Sequence, residues 1–437
     1  MNSKDKVKSR MKRIGSVIIC LVVFALLVLG AFGVRYLLSY NGFLDKITSR
    51  RPELKQYNVV VTNDSGLESI EALAGKSVGF LKTDPKAVDA EQKLEEVVAV
   101  DADFYDDINV LTETLTNKIT NAIVLETDRL EMLKEEISDF GDNNKIIYTF
   151  EIEIKEEKSE IPDKKITQEP FVLYISGSDS RNGLKTTARS DVNIVAVVNP
   201  GQGKILLVSI PRDMYVQLHG ITGLKDKLTH AGVYGINMSK TTVEDFLGIS
   251  IDYTLKVSFD TVIKVVDQLD GIDIVSDKAM TLGYEGGGKC TYTEGKQHVN
   301  GVCALRFARE RKSYQTGDRH RGENQQQVIT SIIGRLSGSK DYLLKIPTIL
   351  DIAADSFETT ISRDNVSSFI RMQLTNPVNW QVESIAVDGT GTYEPTYSMG
   401  ANRPLYVMIP DVNTVTNAKN KINQYLITEN EDNAKNE

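Results

Sequence analysis

Between Ile14 and Leu38 the chain reads "IGSVIICLVVFALLVLGAFGVRYLL", with no charge until Arg35. A run apolar on every side and long enough to cross a ~30 Å hydrocarbon core has one stable form in a bilayer, a helix whose backbone groups pair internally. Lys4, Lys6, Lys8, Arg10, Lys12 and Arg13 precede it against one acid, Asp5. Such basic flanks stay cytoplasmic. The sequence therefore predicts a cytoplasmic tail over 1–13, a transmembrane anchor over 14–38 and all later residues outside, a single-pass protein of the cell membrane. The apolar run exceeds a signal-peptide core and no clean small-residue cleavage site follows it, so the anchor is expected to stay attached.

Setting aside the tail's +5 takes the net charge from −9 to −14 for the rest of the chain. An acidic ectodomain is a poor general binder of nucleic acid, and the short cytoplasmic tail carries no helix-turn-helix pattern, so a nucleic-acid partner and transcriptional attenuation are not expected. Cys290 and Cys303 fall outside the anchor, and their spacing leaves a disulfide and two separate thiols both open. Neither has a CxxC neighbour, and the four histidines form no HExxH pattern, which excludes the common zinc motifs.

Residues 39–56 read as a juxtamembrane stalk. Strand-like and helix-like runs then alternate over 57–154, a small accessory α/β domain. Its "SIEALAGKSVGF" resembles one lobe of a type 2 periplasmic solute-binding protein. A single lobe lacks the cleft between two, so this unit reads as a spacer or a partner-binding module. A charged linker over 155–169 leads to the main α/β domain, 170–426, and a disordered polar tail, 427–437. Within the main domain, "DTVIKVVDQLDG" reads as a helix with Asp260 as N-cap and Gly271 at its end.

"FVLYIS" and "DVNIVAVV" are near-continuous apolar runs of the kind found in central strands. Asp179 leaves the first and Asp191 enters the second, so the two carboxylates can meet at one sheet edge. Paired carboxylates repel unless a cation separates them, and Mg²⁺ is suited to one or two protein carboxylates plus phosphate oxygens. Arg212 and Asp213 follow another buried strand, "LLVSIP". Arg306, Arg309, Arg311, Arg319 and Arg321 cluster further on, and guanidinium forks match phosphate oxygens. Surface ion pairs at the loop, and a solvated basic helix balanced by Glu310, Asp318 and Glu323, are the alternatives at this level.

"SGSDSR", "RSDVNIVAVV", "LLVSIPRDMYV", "KLTHAGVYG" and "GKQHVNGVCALRFARER", followed by "GDRHRGENQ", occur in that order over about 170–335. Together they resemble the LytR-CpsA-Psr family, and the preceding accessory unit resembles its capsule-type members. The resemblance implies an αβα domain with a central, mostly mixed sheet. It implies phosphotransfer of a capsule- or teichoic-acid-like glycopolymer from a polyprenyl pyrophosphate carrier to peptidoglycan, outside a Gram-positive cell. It further implies that Asp179 and Asp191 hold Mg²⁺ or Mn²⁺, and that Arg212, Arg309, Arg311 and Gln325 hold the diphosphate. Arg181, Arg189, Lys227 and Arg321 are further diphosphate contacts, and Asp213 an orienting or basic residue. Capsule-assembly proteins become expected partners of the accessory domain. Many members have Arg-Gln where this chain has Asn324-Gln325, a departure expected to tune head-group affinity. A polyprenyl-diphosphate hydrolase and a non-catalytic lipid-binding scaffold are the rival functions. The isoprenoid tail needs an apolar tunnel, for which Val243, Phe246, Leu247, Val257, Phe259, Val262, Val265, Val266 and Leu269 supply surface.

Overall fold

The computed structural model describes residues 53–427, leaving out 138, 155–161, 163, 179–183, 185, 186, 285, 286, 316 and most of 340–356. The anchor, the basic tail, residues 39–52 of the stalk and most of the linker lie outside the described residues, as do Asp179 and Arg181. No described helix is long and apolar enough to cross a membrane.

The first described strand begins earlier than the sequence suggests, inside the stretch expected to be stalk. The accessory sheet has strands β1 (Glu53–Thr62), β2 (Ser77–Leu81), β3 (Asp101–Tyr105), β4 (Ala122–Glu126) and β5 (Asn144–Ile154), in the spatial order β3-β2-β4-β1-β5. β2 runs parallel to β3 and β4, while β1 is antiparallel to β4 and β5. Helix α1 (Thr127–Glu136) follows β4 directly, with the Glu126 side chain accepting the Asp128 N–H at its start.

The main domain is built on a six-stranded mixed sheet. Its centre is β6 (Phe171–Ser178), β7 (Val192–Asn199) and β8 (Lys204–Ser209), antiparallel neighbours. The strands Tyr253–Ser258 and Gln381–Ala386 add in parallel outside β6 and β8, and Phe357–Thr359 closes one edge. The β7–β8 hairpin expected from "NPGQGK" forms, with Gly203 at φ +63° taking the left-handed position of the turn. The apolar runs are near-continuous because both faces are covered. Val172, Tyr174, Val195, Val197, Leu206 and Val208 face one helical layer, and Phe171, Ile194, Ala196, Ile205 and Leu207 face the other. Helix α2 (Phe259–Gln268) starts on Ser258, so Asp260 lies inside the first turn instead of capping it, because the strand runs straight into the helix.

The two domains share apolar and ionic contacts. Met399 and Leu405 of the main domain pack into the accessory core with Val60, Leu81, Ile108 and Leu111. Beside them lies a buried polar cluster: Lys55 bonds Asp84 at 2.8 Å, Tyr57 Oη donates to Asp84 at 2.8 Å, and Arg129 Nη2 donates to Tyr234 Oη of the main domain at 2.6 Å. Burial pushes the Glu126 carboxyl up to about 8 even though Lys55 opposes it. The folded chain thus keeps a proton there that an unfolded chain, near the ordinary 4.5, has lost. This contribution to stability is complete below about pH 4.5 and is lost as pH rises through about 8. Glu126→Gln is expected to flatten that part of the slope, read as thermal midpoints between pH 5 and 8; an unchanged slope would assign it elsewhere.

Cys290 and Cys303 form a disulfide with Cα atoms 5.5 Å apart. It ties the hairpin of Met280–Gly283 and Lys289–Tyr292 to helix α3 (Gly301–Arg309). By loop length such a link is worth about 3 kcal/mol. Cys303→Ser is therefore expected to lower the melting temperature by several degrees, and a midpoint insensitive to both this change and reductant would refute that.

Candidate functional site

β6, β8 and the strands Tyr253–Ser258 and Gln381–Ala386 share one direction, and their C-terminal ends meet at one edge of the sheet. Ligands in open α/β sheets bind at that edge. β7 runs the other way and begins there, which puts Asp191 at the same edge; its N–H donates to Gly177 O of β6 at 2.8 Å. Arg212 arrives from the loop after β8, and its Nη1 donates to Asp191 Oδ1 at 2.8 Å. The backbone continues the alignment, since Thr229 N–H bonds Arg212 O and Ser190 N–H bonds Thr229 O.

Helix α4 (Asp318–Ser337) points its N-terminus at this edge, and its unpaired amide groups favour an anion there. Its first turns bring Arg319, Arg321 and Gln325. Together with Asp191, Ser209, Ile210, Pro211, Arg212, Gly322, Ala386 and Val387 these line a small pocket in which the charged groups gather. Arg321 Nη2 reaches Asp191 O at 3.3 Å. Gly322 packs close to Ser209, whose Oγ a Cβ there would meet at 2.8 Å. Burial works to raise the Asp191 carboxyl, but Arg212, with Arg321 and Arg189 adding to it, holds it below the ordinary value. The carboxylate is therefore ionised at neutral pH.

Against this pocket lies an apolar cavity of about 410 Å³ between α2, α4 and the sheet. Val257, Phe259, Val262, Val265, Ile329 and Ile332 are among its walls. Arg309, at the end of α3, stands at its rim with the guanidinium 4.6 Å from the Phe259 ring centre. Gln325 lines both spaces and is the wall they share.

Other predicted residues fall differently. Asp213 is buried, 3.3 Å from Lys227 Nζ and 3.8 Å from Arg212 Nε, where it orients both cations. Arg311 is exposed on the loop after α3 and lines neither space. Arg189 is not in the pocket lining; Glu135 of α1 holds it through two bonds of 2.9 and 3.0 Å. Asn324 does not face the pocket either. It is buried, with Nδ2 donating to Phe307 O at 3.1 Å, so this departure caps the end of α3. Arg319, one of the clustered arginines, lines the pocket, and its carboxylate partner Asp388 comes from a distant segment. The nine apolar candidates split: Val257, Phe259, Val262 and Val265 line the cavity, whereas Val243, Leu247, Val266 and Leu269 are buried core and Phe246 packs on it.

The model of the LytR_cpsA_psr family matches residues 142–409, more than half of the chain. The chain belongs to the LytR-CpsA-Psr family. Among its relatives, the polyisoprenyl-teichoic acid–peptidoglycan teichoic acid transferase TagU of Bacillus subtilis is 34% identical over 214 residues, which is 48% of this chain and 67% of that protein. TagU of Halalkalibacterium halodurans is 31% identical over 59% of this chain and 79% of its own. The crystal structure of B. subtilis TagV superposes with a TM-score of 0.50 at 28% identity, covering 59% of this chain and 98% of that one. The mixed-sheet α/β fold is thus that of the family.

Whether a divalent cation suits the site rests on its donors. Asp191 is an ionised carboxylate whose Oδ1 takes Arg212 and Thr229, the latter at 3.5 Å, while Oδ2 has no hydrogen bond among the described residues. A hard cation fits such a donor. The second expected donor, Asp179, lies outside the described residues, and these hold no group of three or more metal-ligating side chains.

Proposed function

We propose that the protein transfers a glycopolymer from a polyprenyl diphosphate carrier to peptidoglycan, outside the membrane that its N-terminus anchors. The observation that carries this reading is the adjacency of the arginine-lined pocket and the apolar cavity, which share Gln325 as a wall, with Arg309 on the cavity side. A polyprenyl diphosphate has this two-part chemistry, a charged head on a long apolar tail. The teichoic acid transferases to which the chain is similar act on polyisoprenyl-linked teichoic acid and peptidoglycan.

In this mechanism the isoprenoid lies in the apolar cavity, and Arg309, Arg212, Arg319 and Arg321 surround the diphosphate. An acceptor hydroxyl attacks the phosphorus bearing the sugar. The bond to the bridging oxygen breaks, polyprenyl phosphate leaves, and the hydroxyl proton passes to solvent or a nearby base. The guanidinium groups neutralise charge growing on the phosphoryl oxygens, a large term in such transfers. Asp179 and Asp191 would hold Mg²⁺ or Mn²⁺, which supplies further charge neutralisation when bound. Asp213 keeps Arg212 and Lys227 in place.

The test combines the full-length chain in detergent with Mg²⁺, a polyprenyl-diphosphate-linked saccharide and peptidoglycan fragments, scored by mass spectrometry against Asp191→Ala and Arg309→Ala. Product that requires the acceptor and is lost in both variants is the expected result. Phosphosugar released without acceptor would make the protein a hydrolase, and lipid binding without turnover a scaffold. A capsule-type polymer is tested by offering capsular and teichoic-acid carriers side by side.

A further inference from the structure

The segment Thr187–Asp191, which enters β7, is gripped from two sides. From the main domain, Ser190 N–H bonds Thr229 O at 3.0 Å, and Gly232 approaches so closely that a Cβ would stand 2.4 Å from Ala188 O. From the accessory domain, Leu54 O of β1 accepts the Thr187 N–H at 3.0 Å. Glu53 of the same strand takes a buried 2.6 Å bond from Lys256, which also donates to Leu184 O at 3.3 Å. Glu135 of α1 then takes both arms of the Arg189 guanidinium.

Arg189 is two residues from Asp191, close enough for its charge to act on that carboxyl. Asp191 already has its own partner in Arg212. A second guanidinium falling on the same carboxylate would occupy Oδ2, the oxygen that Arg212 leaves open and that a cation would take. The fork of Glu135 prevents this, because a bidentate carboxylate fixes both the direction and the plane of a guanidinium. Asp128, seven residues before Glu135 and therefore on the same face of α1, faces Arg189 and Asp191 as well, with His230 and Lys55 the other charges around it.

We infer that the accessory domain is a built part of the phosphotransfer site, in which Glu135 is a positioning residue that holds Arg189 away from Asp191. This rests on the transferase reading above. In this reading the accessory unit contributes to the site in addition to any role as a spacer or docking module.

The test measures binding of geranylgeranyl diphosphate to the full-length chain in nanodiscs by calorimetry, with Mg²⁺ in excess. Glu135→Ala is expected to weaken binding about fivefold, the upper end for a partly exposed ion pair. Glu135→Ala combined with Arg189→Ala is expected to recover most of that loss, since no guanidinium is left to misplace. A purely structural role predicts the reverse, a double variant no better than the single one. Binding that Glu135→Ala leaves unchanged, or a single-variant loss without recovery in the double variant, overturns the inference while the transferase reading stands. Absence of binding by the unsubstituted protein overturns both.

Discussion

Replacing Arg212 by alanine is expected to slow transfer by on the order of 10²–10³, the usual effect of deleting one charge-stabilising donor from a preorganised site. Arg212 lines the pocket, bonds Asp191 at 2.8 Å and lies between Asp191 and Asp213. Its loss removes positive charge from the phosphoryl group and leaves Asp191 with less support. A pH signature should accompany the rate. Burial raises the Asp191 carboxyl and Arg212 lowers it, so without the arginine the carboxyl titrates at higher pH. The acid limb of residual activity should move upward. Arg212→Lys keeps the charge without the fork and should recover part of the rate. Initial rates by mass spectrometry across pH 4–8 read both effects, and a variant of unaltered rate and profile would remove Arg212 from the mechanism.

A tryptophan at Val265 should abolish most carrier binding while the fold persists, whereas one at the adjacent Val266 should unfold the domain. The two valines are neighbours on α2, about 100° apart around the helix. Val265 lines the cavity and Val266 is fully buried in the core. An indole reaching into the cavity would displace about one isoprene unit, five carbons, at about 0.8 kcal/mol per buried methylene. The loss is about 4 kcal/mol, on the order of 10²–10³ in affinity. At Val266 the same side chain has no space, and overpacking costs stability instead. Calorimetry with a polyprenyl diphosphate and thermal melts separate the two. Undiminished binding by Val265→Trp would mean that the cavity does not take the tail.

The apolar runs of β6, β7 and β8, the hairpin turn and the aspartate and arginine motifs were legible in the sequence. Each depends on a local rule: burial on both faces gives continuous hydrophobicity, a left-handed turn takes glycine, and an anion site needs fixed positive charge. Order along the chain was enough to recognise the family. The sequence could not separate Val257, Phe259, Val262 and Val265 from Val243, Leu247, Val266 and Leu269, because apolar periodicity marks a side chain as facing inward and carries nothing about whether another side chain fills the space beyond. Nor could it place Arg189. That residue sits inside a family motif, yet its partner Glu135 belongs to the other domain, and only docking of the two brings them together. Asn324 likewise read as a head-group change, until the turn of α4 directed it at Phe307 O while Gln325, about 100° around the helix, met both the pocket and the cavity. The sequence by itself determined which chemistry is present and which strands carry it. Tertiary structure alone decided which of those groups share a space, because contact between distant segments depends on packing that no local pattern encodes.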